Sequence, residues 1–337
     1  MRAVVVHPGP AFSVADVANG WDKALRQLGV DVVPFSMGDA MTFCEAGLRA
    51  TGQLDTDGQQ AARLANGFLR QTVYDAWPDL ILIVSAFFVT PDTYRILRSR
   101  GHKIAALFTE SPYEDDNQAD IAPFVDLAVV NDPTNLDQFR AKNERTYYLP
   151  HAYDPDLHHP GPAKPGYESD FAFVGTGYPE RIEFFEACDF TGIDATFAGN
   201  WSDLRDGSPL VPHMAHELGA CCPNDETVEL YRGTKASANI YRTSSQRPGL
   251  SDGWAMGPRE VELAASGTFF LTEQRGENAA VLPMVPTFDG PGEFSEQLRW
   301  WLDRPEARDN VVMKAREAVA DRTFTANAGQ LLTLAGF

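Results

Sequence analysis

Short apolar runs recur along the chain at 3–6, 30–34, 80–84, 103–108 and 127–130, and the stretches between them carry apolar residues at helical spacing. Unbroken apolar runs suit strands of a parallel sheet covered on both faces, and their alternation with helices predicts a doubly wound α/β domain. Predicted helices fill about 14–28, 59–77, 92–100 and 135–142, and a last strand at 147–149 closes the set. A segment rich in Pro, His, Asp and Gly follows at 150–165 and fits a linker. The alternation then restarts. Strands are predicted at 171–174, 195–198, 236–240 and 268–271, and helices at 179–187, 225–232, 258–266, around 298–302 and at 310–320, with a last helix at 327–334. The expected architecture is therefore two Rossmann-like doubly wound domains, 1–155 and 166–320, followed by a C-terminal segment at 321–337.

Charge narrows the function classes. The formal net charge is -19, and no Lys/Arg-rich run interrupts it, which disfavours general binding to a phosphate backbone. Nothing approaches the ~18 consecutive apolar residues of a membrane span, and the first residues form a strand pattern broken by Pro8 rather than a signal peptide. A soluble cytoplasmic protein is expected. Cys44, Cys188, Cys221 and Cys222 have no disulfide-framework spacing, so free thiols are expected.

In open α/β sheets ligands sit at the carboxyl ends of strands, so the loops after strands are where chemistry is sought. Gly175-Thr176-Gly177 follows a strand and precedes a helix, either as a cradle of backbone amides for a phosphate or as a tight turn. Arg181, one turn into that helix, fits a phosphate contact or a surface ion pair. Asn239 and Arg242 leave the strand at 236–240, where an arginine needs an anionic partner. Pro258 starts a helix and Gly267 caps it, which puts Arg259 and Glu262 three apart on one face near the positive end. A guanidinium there can grip a diphosphate and a carboxylate can take ribose hydroxyls; the plain alternative is an intrahelical ion pair. Glu110, just past a strand of the first half, fits an acceptor-activating base or a helix cap, and Tyr113 fits packing better. The loop His7-Pro8-Gly9-Pro10 lacks two amide donors and suits the acceptor side, with His151 a weaker candidate. His213 and His216 near Cys221 and Cys222 are too irregular for zinc, and Trp300-Trp301 suits an amphipathic helix better than a sugar platform. No metal is expected.

The pattern Arg259-x-x-Glu262-x-x-Ala265-Ser266-Gly267 before an apolar strand resembles the C-terminal signature of CgeB-like (spore maturation protein) glycosyltransferases, relatives of the group 1 glycosyltransferases. Thr109 to Glu114, Phe173 to Arg181 and Asn239 to Arg242 match in the same order. The resemblance implies a GT-B fold, two domains facing across a cleft, with the last segment packing back on the first domain. It also implies metal-independent transfer of a sugar, with retention, from a nucleoside-diphosphate donor to a hydroxyl. Arg259, Glu110 and Arg242 are then the catalytic candidates, and Gly175, Thr176, Gly177, Arg181, Asn239, Arg242, Arg259 and Glu262 hold the donor. A UDP-sugar is the first expectation, with no separate cofactor, and the acceptor is open among protein, glycan, small molecule and modified base. One departure stands out: Trp254 occupies the position of a second glutamate in group 1 enzymes, a role that Asp252 or Arg259 would have to share. A nucleotide-sugar epimerase and a binding module without turnover remain as alternatives.

Overall fold

Apolar runs without a polar break become central strands, as at Leu80–Val84, which is buried along its whole length. The computed structural model describes residues 1–9, 14–53, 58–243 and 253–337. The chain divides into two units, Met1–Pro150 with Phe324–Phe337, and His151–Thr323.

Unit 1 contains β1 (Arg2–His7), α1 (Ala15–Gln27), β2 (Asp31–Ser36), α2 (Met37–Ala50), α3 (Gln59–Ala76), β3 (Leu80–Val84), α4 (Pro91–Ser99), β4 (Lys103–Phe108), α5 (Asp115–Ile121), β5 (Leu127–Val130), α6 (Leu136–Arg140) and β6 (Thr146–Tyr148). All strand pairs are parallel, in the order β2-β1-β3-β4-β5-β6. Val4, Val6, Ile81, Ile83, Leu69, Tyr94, Phe108 and Phe139 share its core. The order reverses between β1 and β3, so the crevice of a doubly wound sheet opens at their carboxyl ends. The apolar period did not predict α2, whose residues Gly38, Thr42 and Gly47 dilute the pattern; its start is fixed by the Ser36 hydroxyl, which accepts from Asp39 N at 3.2 Å.

The other units of sequence lie in the second body: β7 (Ser169–Val174), α7 (Pro179–Glu186), β8 (Ala195–Ala198), α8 (Asn224–Gly233), β9 (Thr234–Asn239), α9 (Pro258–Ser266), β10 (Phe270–Thr272), α10 (Gly276–Val281), α11 (Pro291–Leu302) and α12 (Pro305–Ala318). The last helix, α13 (Phe324–Ala335), belongs to unit 1 and packs on α1, where a Cβ at Gly20 would stand 2.4 Å from Phe324. Asn327 and Arg145 complete that attachment by donating to Pro150 O and Leu334 O.

The unit 2 sheet is parallel, in the order β10-β9-β7-β8, and reverses between β7 and β9. One of its faces is packed by Phe171, Phe173, Phe185, Phe197, Trp201 and Phe294, with ring centroids of Phe173 and Phe185 4.8 Å apart. Truncating such a ring costs about 3–5 kcal/mol, so this cluster holds the sheet edge rigid. The Pro-rich stretch after Pro150 is tied to this unit: Arg232 donates to Leu157 O and His159 O, and Lys164 N donates to Glu229. Thr268, just past α9 and expected in the last strand, instead donates through Oγ1 to Tyr231 O of α8, and β10 starts two residues later.

Candidate functional site

At the reversal point of the unit 2 sheet, the Arg259 guanidinium spans the carboxyl ends of two strands. Its Nε donates to Val174 O of β7 at 2.8 Å and its Nη1 to Asn239 Oδ1 of β9 at 3.0 Å, while its Cζ lies 4.7 Å from the centre of the Phe173 ring. Gly175 makes the room. A Cβ there would lie 2.2 Å from Arg259 Nη2 and the residue has φ +154°, so both space and backbone call for glycine. The expected cradle of glycine amides is corrected: Gly175 N donates to Ala198 O and Gly177 N to Asn200 O, and of the three amides only that of Thr176 lacks an acceptor. Gly177 serves close approach to Trp201, and Gly199 serves close approach to Gly175 O, at 2.3 and 2.4 Å from a Cβ.

Three cations surround this loop. Arg181, buried, donates from Nε and Nη2 to Ile240 O and from Nη1 to Thr176 O. Those carbonyls give it a bracing role between the loop and the end of β9. Arg242 is half-buried, with its Cζ 4.7 Å above the Tyr178 ring, which Arg181 also faces at 5.2 Å. Glu262 makes no ion pair with Arg259. Its half-buried carboxylate has no hydrogen-bond partner among the described residues, and it faces Tyr231, whose hydroxyl is pushed up first by burial and then by that charge.

Next to Arg259 stands a residue that sequence reasoning passed over. Glu260 is fully buried and accepts from Tyr241 Oη at 2.5 Å, Gly257 N at 2.9 Å, Thr272 Oγ1 at 2.9 Å and Asn278 Nδ2 at 3.1 Å. Burial pushes its carboxyl up, and these four donors pull it back. The network ties the segment just past β9, the end of β10 and α10 to the first turn of α9, which carries Arg259. The available signal was a glutamate three residues after a helix-starting glycine, the second half of a capping box.

Residues 164–333 match the family described as glycosyl transferase-like. The chain belongs to that family. No curated protein matches the sequence. Among solved structures, the chain is similar to a trehalose-6-phosphate synthase studied for glycosyl transfer with retention, with a TM-score of 0.63 and 11% identity over 99% of each chain. The UDP-forming α,α-trehalose-phosphate synthase from Burkholderia xenovorans, in complex with glucose-6-phosphate, gives 0.64 and 11% identity over 99% of this chain and 100% of that one. A putative UDP-N-acetylglucosamine 2-epimerase from Listeria monocytogenes gives 0.63 and 10% identity over 98% and 94%. At these identities the likeness shows the fold, that of the GT-B glycosyltransferases.

Within this glycosyl transferase-like chain, the other candidates belong to other elements. Glu110 follows β4 in unit 1, half-buried, and α5 starts after Glu114 rather than at Glu110. His216 Nε2 accepts from Gly199 N, so this histidine shapes the β8 loop, and no group of three metal-ligating side chains occurs among the described residues. Trp254 is lashed to α10, its carbonyl accepting from Glu277 N, with Gly276 giving its ring room. Trp301 packs on Phe269, and Trp300 stacks with Arg304. Pro10 and Asp252 lie outside the described residues. No helix among the described residues is long and apolar enough to cross a membrane.

Proposed function

We propose that the protein transfers a sugar, with retention, from a nucleoside-diphosphate donor to a hydroxyl acceptor, as a CgeB-like enzyme needing no metal. The observation that carries this reading is Arg259: a cation at the amino end of α9, aimed by two strand ends at the reversal point of a parallel sheet. Charge develops on the departing diphosphate, so fixed cations and amides are the groups the reaction needs. Arg259 and Arg242 meet the diphosphate, with the Thr176 amide; Asn239 and Arg181 hold these groups in place; Glu262, uncommitted, takes the ribose hydroxyls. Glu110 serves the acceptor from unit 1. The bond from the anomeric carbon to the diphosphate breaks as the acceptor oxygen bonds on the same face, and the acceptor's proton passes to the departing diphosphate oxygen.

The UDP-forming synthases among the structural neighbours support a UDP-sugar as donor. The epimerase neighbour favours one second reading, rearrangement of a nucleotide sugar on the same scaffold. Incubation with a panel of nucleotide sugars decides between them. Release of nucleoside diphosphate with a retained glycoside supports transfer, and interconversion of the sugar without an acceptor supports epimerisation. Neither turnover nor binding of any member of the panel removes both.

A further inference from the structure

The segment 254–257 leads into α9 and belongs to no strand or helix, so its polar backbone groups need partners from elsewhere. The start of α10 supplies most of them. Glu277 N donates to Trp254 O at 2.9 Å, Arg275 Nη1 donates to Ala255 O at 3.1 Å, and Met256 N donates to Glu277 Oε2 at 2.7 Å. Gly257 N goes to Glu260. Ala255 and Met256 are buried, and a Cβ at Gly257 would stand 4.0 Å from Asn239 Oδ1, the atom that accepts from Arg259. The segment is thus moulded against α10 and ends beside the strand end that Arg259 reaches.

Glu277 is the unexpected member of this mould. It is 1% exposed, and its other oxygen, Oε1, pairs with Arg322 Nη2 at 2.8 Å. Arg322 Nη1 is buried and has no hydrogen-bond partner. A buried ion pair seldom stabilises a fold more than apolar side chains of similar volume, and one with an unfilled donor does so less. Stability alone therefore does not account for a carboxylate here. What a carboxylate does and an apolar side chain cannot is accept the Met256 N–H within a segment that has no ladder of its own.

We propose that Glu277 is a positioning residue for donor binding. Through Met256 it fixes the approach to α9, whose first turn carries Arg259, and Arg322 balances its charge from the last residues of unit 2. The proposal rests on the glycosyl-transfer reading and adds to that site a residue that acts through the segment 254–257.

The test uses the full chain with UDP as probe. With UDP at about ten times its Kd, hydrogen exchange of the amides at 254–257 should slow about tenfold, because a segment that must stay in place for binding is protected by the ratio of ligand to Kd. Unchanged exchange while UDP binds overturns the proposal. Two double variants keep the charge balanced. Glu277→Gln with Arg322→Gln leaves an oxygen for Met256 N, and UDP should bind within about threefold of the unaltered chain. Glu277→Leu with Arg322→Leu removes that oxygen and should weaken UDP binding about tenfold, with little change in melting. Equal UDP affinity in the two double variants overturns the proposal, since a purely structural pair would not distinguish them. Where the Leu variant does not fold, the exchange measurement on the unaltered chain decides. Failure of the unaltered chain to bind UDP or any member of the nucleotide-sugar panel would instead sink the transfer reading, and this role with it.

Discussion

Both parallel sheets reverse their strand order and so open a crevice at their carboxyl edges, yet one edge gathers Arg181, Arg242 and Arg259 around a single loop while the other carries carboxylates and no Lys or Arg in its strand-end loops. Topology opens a crevice in each and says nothing about what could fill it. Side-chain charge supplies that. A protein of formal charge -19 that concentrates three guanidiniums at one strand-end loop has to brace them against their own repulsion. The bracing is visible: Arg181 has its donors filled by the Ile240 and Thr176 carbonyls, whereas Arg259 keeps Nη2 turned toward the space above Gly175.

The largest expected break in this contrast is Glu260→Ala. It strips the acceptor from Tyr241, Thr272, Asn278 and Gly257 N at once, and loss of such a buried network should lower unfolding stability by about 3–5 kcal/mol. Thermal unfolding measures this, and a shift of only a degree or two would show that the network is incidental. Arg259→Ala acts on chemistry instead, with about 3 kcal/mol of transition-state stabilisation lost, read as kcat/KM for donor turnover, and little change in melting. Unchanged turnover would take the arginine out of the mechanism. Smaller again is Gly175→Ala, whose added methyl must displace the guanidinium or bend the loop at a cost of about 1–3 kcal/mol. Its signature is a raised KM for the donor together with a modest fall in stability, whereas Gly207→Ala, which meets nothing within 4 Å, gives the reference for positive-φ strain alone.

Much of this was legible in the chain itself. Residues 80–84 announce a buried strand, and Pro258 with Gly267 brackets α9 at both ends, so the place of Arg259 and Glu262 on one helical face follows from spacing. What spacing cannot carry is partnership across long separations. Arg181 and Arg259 look alike as letters, and only the fold shows that Ile240 O and Thr176 O fill the donors of one while two strand ends aim the other. Glu260 was hidden for the same reason, since Tyr241 and Asn278 are 19 and 18 residues away from it. The glycines misled in a further way: Gly-x-Gly after a strand is the letter pattern of a phosphate cradle, but here the amides are already bonded and the missing side chains matter more.

The smallest effect sharpens the contrast through pH. Burial pushes His7, at the end of β1, below its ordinary 6.5, although Asp39 and Asp22 act in the opposite sense. The unfolded chain then binds a proton before the folded one does, so unit 1 loses stability as pH falls through 6.5 and the loss levels off below the folded value. Glu260 has the reverse linkage. Its carboxyl is raised above 4.5, the folded state holds the proton longer, and unit 2 loses stability as pH rises from 4.5 through the folded value. Hydrogen exchange followed separately in the two units between these pH values should therefore show protection falling toward acid in unit 1 and toward neutrality in unit 2. His7→Gln should flatten only the first trend and Glu260→Gln only the second; parallel trends in both units would mean that neither group governs its own sheet edge.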